Sequence, residues 1–120
     1  MPRTEVMFFA EDDGSAPLLE WLDGLPERVQ SKCIVRIERL AELGHELRRP
    51  GADYLRDGIY ELRVKHRRVN YRILYFFHKG RVVLSHGVRK EGRAPDAEID
   101  RAVRRRREFE ADPEPHAHRE

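Results

Sequence analysis

Cysteine is almost missing from this chain of 120 residues. Cys33 is alone, so no internal disulfide can form, which suits a reducing compartment. Long apolar runs are missing too, and nothing approaches the roughly twenty residues of a membrane span. Met1-Pro2-Arg3 leads straight into patterned sequence without a signal-like stretch, so a cytoplasmic protein without membrane association is expected. Metal-ligand spacing is also absent. Glu11, Asp12 and Asp13 lack a coordination pattern, and His116 and His118 form no motif; neither metal nor cofactor is expected. Hydrophobic residues make up only 39%, against 38% charged. They fall at regular spacings, however, which argues against wholesale disorder.

What is present in excess is positive charge in one half. Residues 1–59 hold 8 Lys/Arg and 12 Asp/Glu, whereas residues 60–110 hold 15 and 7. Such a separation suits a surface that docks a polyanion. The run Arg104-Arg105-Arg106-Arg107 reads equally well as a solvated helix face.

Along the chain, residues 5–9 predict a short strand. Ser15 is placed to cap a helix with Pro17 in its first turn, and Pro26 opens a longer one. There Val29, Cys33, Ile37, Leu40 and Ala41 keep helical spacing as far as Gly44. Residues 48–53 read as loop. Period two then takes over: Tyr60, Leu62 and Val64 alternate with Glu61, Arg63 and Lys65. A turn near His66, Arg67 and Arg68 leads to a strand over residues 70–77. Lys79-Gly80 turns the chain into a third strand, over residues 81–89. Pro95 precedes a last helix with Ile99, Ala102, Val103 and Phe109 on one face. The expected class is α+β in the order β-α-α-β-β-β-α, with a helical hairpin on a mostly antiparallel sheet. Residues 1–110 form one domain, and residues 111–120 are expected to be a disordered tail.

The turn at Lys79-Gly80 also predicts a register, with Phe77 opposite Val82, Tyr75 opposite Leu84 and Tyr71 opposite Val88. Arg63 falls opposite Arg72. One face then collects Tyr60, Leu62, Val64, Tyr71, Ile73, Tyr75, Val82, Leu84 and Val88 as core. The other collects Arg63, Lys65, Asn70, Arg72 and Arg89, with Gly87 beside Arg72 and Lys90 at the strand end. Like charges directly across a sheet repel. Either Glu61 and acidic groups elsewhere neutralise this cluster, or an anion does; a phosphate, matched by guanidinium forks, is the preferred answer. His86 falls on the core face and reads as a hydrogen-bonded core histidine ahead of a catalytic one. His66 lies in the turn, where an ordinary exposed side chain is the simpler reading.

The block Leu55-Arg56-Asp57-Gly58-Ile59-Tyr60-Glu61-Leu62-Arg63 is followed by Tyr71-Arg72-Ile73-Leu74-Tyr75-Phe76-Phe77 and by His86-Gly87-Val88-Arg89-Lys90. Ala94-Pro95, Ile99, Ala102 and Arg105-Arg106-Arg107 come next. Together they resemble the HigB-like, phage-derived Gp49-like branch of the RelE/ParE toxin superfamily of type II toxin-antitoxin modules, over roughly residues 6–109. The resemblance implies a RelE-like fold and a metal-independent endoribonuclease that cleaves translated mRNA on the ribosome. It also implies a cognate antitoxin, expected to be a helix-turn-helix protein. By this resemblance Arg72 and the Arg89-Lys90 pair match catalytic basic positions, and Arg63 a basic position on the neighbouring strand. Lys65, Asn70, Arg67, Arg68, Glu61 and His66 are candidates for substrate binding. Some relatives carry a lysine where this chain has Glu61, which leaves Glu61 either a base or an orienting group. Two alternatives share the fold: a ParE-like inhibitor of DNA gyrase without nucleolytic chemistry, and a degenerate member that only binds nucleic acid or a partner.

Overall fold

Residues 3–119 are described by a computed structural model. Met1, Pro2 and Glu120, which belong to the expected domain and tail, lie outside the described residues. Strands β1 (Val6–Phe9), β2 (Ala52–Arg56), β3 (Ile59–His66), β4 (Val69–His78), β5 (Arg81–Arg89) and β6 (Ala117–His118) form one sheet in the order β2-β3-β4-β5-β1-β6. All neighbours are antiparallel except β1 and β5, which run parallel. The helices are α1 (Pro17–Asp23), α2 (Glu27–Leu43), α3 (Asp96–Ala111) and the single turn α4 (Pro113–His116). The α+β class and the order of the main elements are those expected.

Each face of the sheet is covered at its centre. Leu62, Val64, Tyr71, Ile73, Tyr75, Val82 and Leu84 point to one side and bury Leu18, Leu22, Val29, Cys33 and Leu40 of the α1–α2 hairpin. On the other side Ile59, Leu74, Phe76 and Val83 meet Ile99, Ala102 and Phe109 of α3. The middle of β4 is therefore apolar without interruption because both of its faces are dry. The end of the second face, where Glu61, Arg63 and Arg72 stand, is polar.

Three local expectations change. Ser15 does not cap α1; its N–H and hydroxyl both donate to Asp13 Oδ1, at 2.9 and 2.7 Å, and Ala16 occupies the cap position without a side-chain bond. The loop expected over residues 48–53 is only partly loop, since β2 starts at Ala52 and returns to β3 through Asp57-Gly58. Both residues of that turn have positive φ (51° and 80°), the conformation that Asp-Gly favours in a two-residue hairpin. The tail is ordered up to the last described residues. His116 is buried, stacks on Phe9 with ring centroids 5.1 Å apart and hydrogen-bonds through Nδ1 to the Ala10 carbonyl at 2.7 Å, while β6 pairs with β1. Composition hid this because the tail needs only one aromatic-like side chain and a few backbone bonds to dock on an open edge.

The largest consequence comes from a β-bulge. Phe77↔Val82 and Tyr75↔Leu84 pair as expected, but the register shifts between Leu74 and Tyr75, leaving Ser85 without a partner in the ladder. Beyond it Leu74 faces His86, Ile73 faces Gly87, Arg72 faces Val88 and Tyr71 faces Arg89. One extra residue inverts the facing of everything that follows. Val88 moves from the hairpin side to the α3 side, and Gly87 moves under Trp21, whose ring occupies the space a Cβ there would need.

Candidate functional site

The side chain that organises the site is Glu61. It is almost fully buried, and alternation on β3 puts it on the same face as Arg63, with Arg72 across on β4. Arg63 Nε donates to Glu61 Oε2 at 2.8 Å, and Arg72 Nη1 approaches Glu61 Oε1 at 3.5 Å. Arg63 Nη2 also donates to Asp53 Oδ2 at 3.1 Å, an oxygen that Arg49 reaches at 2.8 Å. The hydrogen bond and charge of Arg49, helped by Arg63, hold the Asp53 carboxyl below the usual carboxylate range. The apposed arginines are thus already neutralised from within the protein, by Glu61 together with a carboxylate from the unforeseen strand β2.

The two arginines differ in what remains available. Arg72 is 8% exposed, donates from Nη2 to the Gly92 carbonyl, and has its Nε buried without a partner among the described residues. Arg63 keeps 39% of its side chain exposed and has one η nitrogen uncommitted among the described residues. It borders a groove of about 590 Å³ lined also by Arg36, Asp53, Glu61, Lys65, Asn70, Arg72 and Arg93. Five cationic side chains meet two carboxylates there, and both carboxylates are held in ion pairs. Such a surface attracts an anion, with the uncommitted η nitrogen of Arg63 as a donor already held in place.

Of the expected site residues, the fold brings together Glu61, Arg63, Lys65, Asn70 and Arg72. Arg89 is a correction: the bulge turns it to the Tyr71 side, where its guanidinium lies 6.0 Å from that ring centroid, so the predicted Arg63/Arg72/Arg89 face does not exist. Lys90 is exposed and follows the strand, its N–H on the Asn70 carbonyl at 3.3 Å. With Arg89 it lines a smaller cleft that meets the groove at Asn70. Arg67 and Arg68 are exposed in the β3–β4 turn and do not line the groove. His66 is also outside its lining; its Nδ1 is buried without a partner among the described residues, and desolvation, with the charges of Lys32, Arg67 and Arg28, lowers its pKa.

His86 is a core histidine, though on the α3 side. Its Nε2 lies 3.1 Å from Glu98 Oε1 and its Nδ1 2.8 Å from Ser85 Oγ. The carboxylate accepts, so Nε2 carries the proton and the Ser85 hydroxyl donates to Nδ1. Burial, with Arg105 nearby, pushes its pKa down to about 4, against the pull of Glu98. Within the arginine run, Arg105 pairs with Glu11 at 2.8 Å and Arg106 binds the Asp57 carbonyl at 2.9 Å, so half of the run ties α3 to its surroundings. The groove residues missed in the sequence are Asp53, Arg36 and Arg93. Asp57-Gly58 was a usable signal for Asp53, because a hairpin turn there sets a strand beside Glu61. For Arg36 and Arg93 no local signal existed.

Residues 20–107 match the model of the family described as Phage derived protein Gp49-like (DUF891). The chain belongs to this family. It is a phage-derived, toxin-like family, and the match runs from α1 into α3, so every groove residue lies within it. Strand β1 and the docked tail of this Gp49-like protein lie outside the matched span. No curated protein matches the chain. Among the described residues no helix is long and apolar enough to cross a membrane.

Proposed function

We propose that this Gp49-like protein is the toxin of a type II toxin-antitoxin module and cleaves mRNA on the ribosome through the Arg63 groove. The observation that carries this is the surplus of cations around one guanidinium fixed by two carboxylates. Cleavage by the 2′-OH breaks the P–O5′ bond and leaves a 2′,3′-cyclic phosphate. It requires removal of the 2′ proton, neutralisation of charge on the phosphorane and a proton for the departing 5′-oxygen. Arg63 is oriented for the second service, with Arg36 and Arg93 adding to the field. Lys65 is the exposed ammonium available for the third. Glu61 has both oxygens engaged and acts by positioning Arg63 and Arg72, not as a base, so the 2′ proton passes to solvent water. Arg72 supports the site from beneath rather than touching substrate. The partner expected in the cell is an antitoxin; Ile34 and Val35, exposed on α2, offer it an apolar foothold.

The burial of Arg72, a position the family resemblance assigns to catalysis, favours the second reading, a ParE-like inhibitor that binds gyrase. A paired assay separates the two. The purified protein should cut a message being translated in a reconstituted system and leave gyrase supercoiling unchanged. Inhibition of supercoiling with the message intact would reverse the assignment.

A further inference from the structure

Beside the groove, on the hairpin side of β2, lies a second cavity of about 560 Å³. Asp53 lines both, so the two adjoin across one edge strand. Tyr54, Tyr60 and His45 supply rings to its wall, and Phe77 touches two of them without lining the cavity. Tyr54 stands edge-on to Tyr60 with centroids 5.0 Å apart, Tyr60 stands edge-on to Phe77 at 5.2 Å, and His45 stacks on Phe77 at 3.5 Å. Arg48 and Arg49 form the exposed rim.

Packing explains Tyr60 and Phe77, which are partly buried against the hairpin core. It does not explain Tyr54, which is 52% exposed and one of three large hydrophobic side chains so exposed among the described residues. Its hydroxyl accepts the Gly58 N–H at 3.0 Å, so the ring is held in place although much of it faces water. A fixed, exposed aromatic face beside two guanidiniums suits a stacked base flanked by phosphates. The cavity volume falls within the roughly 300–1,000 Å³ of small-ligand clefts. An apolar peptide would not use the Arg48 and Arg49 rim, whereas a single strand whose backbone lies along Arg63 reaches it by crossing β2.

We infer that this cavity holds one nucleobase of a single-stranded RNA, stacked on Tyr54, with the neighbouring backbone at Arg48 and Arg49 and in the Arg63 groove. This rests on the reading of the groove as an RNA site. The test uses two labelled probes of about eight nucleotides, one a normal single-stranded RNA and one an abasic ribose-phosphate strand, bound at fixed low salt. The wild-type protein should prefer the base-bearing strand by about 5- to 150-fold, the range expected for one stacked base. Tyr54→Leu should remove that preference and leave the abasic affinity unchanged, while Tyr54→Phe keeps it. Arg63→Gln should weaken both probes alike and keep their ratio. Equal wild-type affinity for the two strands, or a preference that survives Tyr54→Leu, overturns the base site while the groove stands. Binding of neither strand overturns the groove and the base site together.

Discussion

Removing the buried carboxylate of Glu61 should damage the protein more than removing any exposed ion-pair partner. At 3.5 Å and an effective dielectric near 20, the Glu61–Arg72 attraction is about 5 kcal/mol before desolvation is counted. The intact pair is close to neutral in net stability, because burying both ions costs about as much. Glu61→Ala removes only one side of that balance. Among the described residues Arg72 then stays buried with the Gly92 carbonyl as its remaining acceptor and no partner for its Nε, and Arg63 lies directly across the ladder. The expected loss is about 3–5 kcal/mol, or roughly 10–20 °C in Tm for a domain of this length. Urea unfolding followed by circular dichroism measures it, with an unchanged slope showing that stability alone has moved. The double variant Glu61→Ala/Arg72→Met, which removes both charges, should recover most of the loss. A single variant within about 1 kcal/mol of the parent, or a double variant no better than the single, would refute the account of the site's support.

Three further outcomes follow from the fold. His86 has a folded pKa of about 4 against about 6.5 unfolded, so between those values the unfolded chain binds the extra proton. Stability should therefore fall by up to about 3 kcal/mol as pH drops from 6.5 to 4, and His86→Gln should flatten that slope in pH-dependent denaturation. Gly87→Ala should cost about 1–3 kcal/mol through collision with the Trp21 ring, whereas Gly80→Ala, with open space around it, should pay only for its turn conformation; thermal melts of both distinguish packing from backbone strain. Truncation after Asp112 should uncover Phe9 and lower Tm measurably, and an unchanged Tm would show that the docked tail contributes nothing.

Much of this fold could be read from the chain because its local signals agree. The stripe of Val29, Cys33, Leu40 and Ala41 names the buried side of α2, and Lys79-Gly80 sets the β4–β5 register for its first four pairs. The register fails at Ser85 because a bulge has no composition of its own. A serine that bonds the neighbouring His86 ring looks like any strand serine until the pairing is seen. That single residue carried Arg89 away from the predicted cluster. The site was legible in kind, as arginines opposed on one face, but the carboxylates that hold them were only half legible. Glu61 alternates with Arg63 along one strand, whereas Asp53 arrives from β2. Arg36 and Arg93 come from elements far apart in sequence, so only the folded chain places them at the groove.

In the proposed reaction Arg63 neutralises the scissile phosphate, and cleavage coupled to translation reads that role out. Wild-type protein and an Arg63→Gln variant, shown to be folded by circular dichroism, are added to ribosomes translating a defined message. RNA ends are then mapped and their chemistry determined. Wild-type protein should leave 2′,3′-cyclic or 3′-phosphate ends, and Arg63→Gln should slow cleavage by about 10²–10³. Ends bearing a 5′-phosphate, or cleavage by folded Arg63→Gln at the wild-type rate, would contradict it.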